Sequence, residues 1–178
     1  MLELALSQSP FNAQHAAAIQ RLQRMRMPIS KLGATDPRLA TVYGVWAARR
    51  RDGLIPTWSG ADVQDLRPSV DRLQVIEALE ARPAGGRFHS VIDVLGETHH
   101  YDELTGFMDL PLEFPTVDPI VRDLIEDYTN VTFLGSPALH RVTVTTADAV
   151  RSFHRLILPL AADGRQVSLL MIALNPAP

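Results

Sequence analysis

The stretch Phe153 to Leu174, FHRLILPLAADGRQVSLLMIAL, reads as two apolar strands folded back on each other around Asp163-Gly164. Asp-Gly between apolar runs is a strong hairpin signal, because both central residues of a type I′ turn need positive φ. A two-residue loop sets Leu160 opposite Val167, Leu158 opposite Leu169 and Leu156 opposite Met171. One face of the ribbon is then almost wholly aliphatic and ends at His154 and Ala173. The other carries Phe153, Arg155, Ile157 and Pro159 against Ser168, Leu170, Ile172 and Leu174, still too apolar to leave in water. Both faces need covers, and the rest of the chain must supply them.

The chain has 178 residues, 46% of them apolar, which suits one domain with an extension and a real core. It has no cysteine, which excludes disulfides, thiolate metal sites and cysteine nucleophiles and fits a reducing compartment. No apolar run is long enough to span a bilayer, and Met1 to Pro10 lacks the basic start and apolar middle of a secretory signal. The reading is a cytoplasmic protein with no membrane segment.

The net charge of −3 hides an asymmetry: residues 1–51 hold eight Lys or Arg against Glu3 and Asp36, while the remainder holds nine against eighteen acids. The two parts can attract one another. A basic segment can also bind nucleic acid. No aromatic interleaving or nucleic-acid motif accompanies Arg21, Arg24, Arg26 or Arg49-Arg50-Arg51, so they read as solvated helix faces.

Asn12 to Met27 reads as a first helix stopped by Pro28, with Ala18, Ile19, Leu22 and Met25 as a narrow apolar stripe that needs a partner surface. Asp36-Pro37 opens a second helix, with Asp as N-cap and Pro at the first helical position. Leu39, Val42, Tyr43, Trp46 and Ala47 follow on one face, and Trp46 reads as a core anchor. Leu54 to Pro68 reads as a surface loop. Leu73–Ala81 and Phe88–Gly96 read as paired strands. Asp118-Pro119 repeats the helix start, and Val117, Ile120, Val121, Leu124, Ile125, Tyr128 and Val131 share a face opposite Arg122, Asp123, Glu126 and Asp127, which are read as facing water. Ala138–Thr146 is a third strand, ahead of the two in the opening hairpin.

This order predicts an α+β fold: a five-stranded antiparallel sheet with helices on one face, residues 36–178, preceded by an N-terminal helical extension, residues 1–35. The helix from Pro119 is expected to roof the Leu156 to Leu160 face. A small-molecule pocket is expected between them. The N-terminal helix is expected on the second face, from the same chain or a symmetry mate.

Tyr43-x-x-Trp46 with Arg49-Arg50, Leu54-x-Pro56, Ala61-Asp62, Val94-Leu95-Gly96, Glu103-Leu104-Thr105-Gly106, Tyr128 with Gly135-x-Pro137, and Arg155 to Leu160 running into Asp163-Gly164 resemble a bacterial family in which one PAS domain makes up nearly the whole protein. The matching pieces span about residues 43–174. Asp93, where a basic residue is expected, and Gln64 to Pro68 depart from that pattern. The resemblance implies a PAS-like fold and a sensory or protein-interaction role in bacterial signalling, with no catalytic residues to carry across. It implies haem, flavin, a small acid or no ligand at all, and a homodimer or a signalling partner protein.

Tyr101, Phe107, Tyr128, His140, His154 and Met171 are the pocket candidates, chosen for the inward face or nearness to a short-helix lid. His140 and His154 can ligate haem iron or titrate, and the commoner outcome is a satisfied histidine at a strand end. His99-His100-Tyr101-Asp102-Glu103 is the densest set of metal-capable side chains and the core of a rival reading as a small enzyme. A structural metal site normally needs four ligands, and a polar surface turn explains the set as well. No G-x-S-x-G and no phosphate-cradling glycine loop is present. The leading reading is a non-enzymatic module. A nucleic-acid-binding regulator is the other rival.

Overall fold

The computed structural model describes residues 19–50, 54–58, 62, 65–82, 85–94, 119–147 and 149–178. In chain order the elements are β1 (Ile19–Met27), a 3-10 turn (Ile29–Lys31), α1 (Leu32–Thr35), α2 (Pro37–Arg49), β2 (Arg72–Arg82), β3 (Gly85–Val94), α3 (Pro119–Leu134), β4 (Ala138–Thr146), β5 (Val150–Ala161) and β6 (Val167–Pro176). The fold is α+β around one antiparallel sheet, as the sequence predicts. The sheet has six strands in the order β1-β4-β5-β6-β2-β3, so all five expected strands are present and β1 is added outside β4.

Residues 19–27 are therefore a strand, where the sequence predicts the second half of a helix. Their pattern is poor for either state, with arginines at 21, 24 and 26 and no stripe wider than one side chain. Pairing with β4 decides the matter, setting Arg24 beside Val142, Arg26 beside His140 and Met27 beside Leu139. The arginines also suit an outer strand, where charge discourages pairing with another chain.

The central hairpin has the predicted faces in a different register. Leu160 lies opposite Leu169, Leu158 opposite Met171 and Leu156 opposite Ala173, with an irregularity at Leu160/Ala161. That is a slip of two residues, and because side chains alternate with period two, each residue keeps its face. The turn is looser than Asp-Gly alone implies. Gly164 takes φ 75°, but the Asp163 carboxylate accepts the backbone N–H groups of Arg165 and Gln166 at 2.9 and 3.1 Å, which holds that carboxyl below its usual range. Residues 55 and 56 bind across the hairpin end as well, through Ile55 N–H to the Gly164 carbonyl and Ala161 N–H to the Pro56 carbonyl, each at 3.0 Å.

Each face of the sheet carries its own core, which corrects the expectation of helices on one face. α2 covers the even-numbered face of β5: Leu39, Val42 and Trp46 pack with Leu156, Leu158, Leu160 and Met171. α3 covers the opposite face, where Leu124, Ile125, Tyr128 and Val131 pack with Phe153, Ile157 and Ile172. The helix expected to roof Leu156 to Leu160 thus lies on the other side, and α2 takes its place. Trp46 is a core anchor as predicted, its Nε1–H donating to the Pro159 carbonyl at 2.9 Å. Asp36 caps α2, accepting the Leu39 N–H at 3.0 Å. Leu32 of α1 joins the α2 core.

Candidate functional site

The polar centre of the molecule lies where α3 crosses β4 and the outer strand β1. On β1, Arg24 and Arg26 share a face. On β4 and β5, His140 and Arg155 are cross-strand neighbours on that same face. Helical spacing brings Asp123, Glu126, Asp127 and Asn130 of α3 to the same edge. Asp127 is the hinge of the arrangement: one carboxylate oxygen accepts from Arg24 and the other from Arg155. Arg24 also donates to the Asp123 carbonyl at 2.7 Å and to Glu126 Oε2 at 2.6 Å. The sequence assigned Asp127 to the water-facing side of the helix, yet it is only 7% exposed and Arg155 only 3%. Two guanidiniums on one carboxylate make that burial tolerable.

His140 adjoins this network, with Nε2 3.5 Å from Asp127 Oδ1. Burial, and then the positive charges of Arg155, Arg24 and Arg26, push its pKa down to about 3. The nearby Asp127 carboxylate does not reverse the shift, because its charge is already shared between Arg24 and Arg155. His140 is neutral in the folded chain at neutral pH, whereas the unfolded chain takes up the proton near the ordinary value of 6.5. Protons then favour the unfolded state, and stability falls as pH drops below that value by up to about 1.4 kcal/mol per pH unit. His140→Gln is expected to remove this slope. Between pH 7 and pH 5, urea titrations should show the variant losing about 2 kcal/mol less than the parent.

A cavity of about 170 Å³ opens beside His140, between α3 and the β1–β4 edge. Arg24, Arg26, Asn130 and Ser136 give it polar walls, and Val131, Leu134 and Ala138 an apolar one. Ligand pockets for drug-sized molecules run to about 300–1,000 Å³, so this one is small beside them.

The predicted pocket residues do not converge. Tyr101 and Phe107, like the His99-His100 set, lie outside the described residues. Of the remaining four, only His140 lines the cavity. Tyr128 is buried in the α3 core with the Arg155 guanidinium 5.9 Å from its ring centre, and burial pushes its hydroxyl pKa up. Met171 and His154 belong to the opposite face of the sheet, Met171 within the α2 core. His154 is a satisfied histidine: Nδ1 lies 3.2 Å from Asp36 Oδ2, while Asn175 donates to Asp36 Oδ1 at 3.0 Å. The sheet separates the two pairs, so they cannot share one ligand.

Sequence reading missed Arg24, Arg26, Asp127 and Arg155. One signal was available: Arg155 sits in a strand whose neighbours on both faces are aliphatic, and a buried guanidinium requires a carboxylate partner. The charge asymmetry is also used internally. Arg24 pairs with acids of α3, Arg38 with Asp71 at 2.8 Å and Arg49 with Asp62 at 2.8 Å, so basic residues of the N-terminal part meet acids of the remainder.

Among the described residues no helix is long and apolar enough to cross a membrane. Compared with protein-family models, curated proteins and solved structures, the chain matches none of them.

Proposed function

We propose that this chain is a non-enzymatic sensory or protein-interaction module of PAS-like type, in which a small molecule held between α3 and the β1–β4 edge alters how β1 is presented to a signalling partner or a second copy. The observation that carries the reading is the position of the cavity. Its walls come from β1 through Arg24 and Arg26, from β4 through His140, and from α3 through Asn130, Val131 and Leu134. An occupant therefore touches the outer strand and the long helix at once, and any change in their spacing changes its affinity. Differential affinity for two arrangements is what lets a ligand shift an equilibrium.

Two further features support the proposal. The five strands of the PAS-like expectation lie together in one antiparallel sheet, although helices cover both faces and a sixth strand is added. The two buried carboxylates among the described residues are also engaged structurally: both oxygens of Asp127 accept from arginines, and Asp36 caps a helix while holding His154 and Asn175. That leaves neither carboxylate placed as a free acid or base.

The test is amide hydrogen exchange on the full chain against a panel of small metabolites. A molecule that binds is expected to slow exchange across residues 19–27 more than across the central strands β5 and β6. Binders that leave β1 exchange unchanged would remove the sensory role.

A further inference from the structure

We propose that the cavity between α3 and the β1–β4 edge binds a small monocarboxylate, its carboxylate on Arg26 and its short aliphatic tail against Val131, Leu134 and Ala138; this rests on the ligand-binding reading above. The two arginines of the cavity differ in what they have left to offer. Arg24 is committed to Asp123, Glu126 and Asp127. Arg26 has no ion pair among the described residues and is exposed at the cavity wall. A guanidinium presents a planar fork of donors that matches a carboxylate.

The surroundings narrow the class. Arg26 stands beside His140 on the adjacent strand, and Arg24 and Arg155 bring further positive charge to the same ring. Glu126 and Asp127 also line the cavity, but both are held by arginines, Glu126 by Arg24 and Asp127 by Arg24 and Arg155. Among the described residues Arg26 is then the cavity cation without an acidic partner, and one such cation matches a single negative charge. The apolar wall excludes a bare inorganic ion as the best fit, because such an ion leaves Val131, Leu134 and Ala138 uncovered. Size points to a small ligand: an apolar cavity of about 150 Å³ holds benzene, and roughly six non-hydrogen atoms suit one of about 170 Å³. Butyrate has that size.

The experiment is an NMR titration of the full isotope-labelled chain with butyrate, its neutral isostere butyramide, succinate and inorganic phosphate, on the parent and on Arg26→Gln. Saturable shifts at Arg26, Asn130 and His140 are expected with butyrate, with about tenfold or weaker binding for the other three probes. Arg26→Gln removes no ion pair among the described residues and should keep the parent spectrum while weakening butyrate by about tenfold or more. Arg26→Lys, which keeps the charge, is expected to retain part of that loss. Butyramide binding as well as butyrate, or unchanged butyrate affinity in Arg26→Gln, would overturn the carboxylate and leave the ligand site standing. Phosphate or succinate binding more tightly than butyrate would overturn the aliphatic monoanion in the same way. No saturable binding by any probe would overturn this proposal, while the ligand-binding reading beneath it is decided by the exchange experiment on the metabolite panel.

Discussion

Replacing Asp127 with alanine is expected to cost about 3–5 kcal/mol of stability, the range found when one partner of a buried ion pair is removed. Most of that cost falls on Arg155. Its guanidinium lies against the α3 core with Asp127 as its acidic partner among the described residues, and at 3% exposure it has no route to water. Arg24 suffers less, because its side chain is 22% exposed and it still has Glu126 and Asp123. Against a typical total of about 5–15 kcal/mol the loss is large, and it corresponds to a fall in Tm on the order of 10 °C for a chain of this length. Urea titration at pH 7 measures it. The double substitution Asp127→Leu with Arg155→Met is expected to recover most of the loss, since an apolar pair of similar volume replaces both charges together. A single variant within about 1 kcal/mol of the parent would mean that Arg155 is hydrated in solution and that α3 and β1 are not joined through this carboxylate.

Trp46→Ala is the second large effect, again about 3–5 kcal/mol. Trp46 is 1% exposed at the centre of the α2 core, so its removal leaves a void between α2 and the Leu156 to Leu160 face. It also deprives the Pro159 carbonyl of its donor at 2.9 Å. Trp46→Phe separates these effects. The smaller ring keeps much of the packing and loses the hydrogen bond, so the expected cost is about 1–3 kcal/mol. Calorimetry on the two variants gives the ratio. Equal losses would show that the hydrogen bond, and not the buried volume, fixes α2 to the sheet.

Much of this architecture is legible in particular residues. Asp36-Pro37 marks the start of α2, and Leu39, Val42 and Trp46 mark its buried stripe. Alternation in 138–146 gives β4 with the bounds the structure has. Leu124, Ile125, Tyr128 and Val131 mark the packed face of α3. Such signals are local, because a capping residue, a period of 3.6 or a period of two acts within one element. The outer strand β1 escaped because both its faces are partly wet, which leaves no clear period to read. The site escaped with it: Arg24 and Arg26 belong to β1, and Asp127 is hidden on a helix face that looks solvated.

The sequence by itself determined which residues form the central hairpin, which side chains share each of its faces, and where α2 and α3 begin. Even the two-residue slip in register left those faces intact, because a shift by an even number preserves alternation. Only the tertiary structure decided which helix lies on which face. Both faces of the ribbon are aliphatic enough to accept either amphipathic helix, so hydrophobic burial, being non-directional, cannot choose between them. The polar residues mark the choice. Arg155 on the odd face meets the one buried acid that α3 carries, and His154 with Asn175 on the even face meets Asp36 at the head of α2. Exchanging the helices would bury each of those groups without its partner, at a cost that the apolar contacts could not offset.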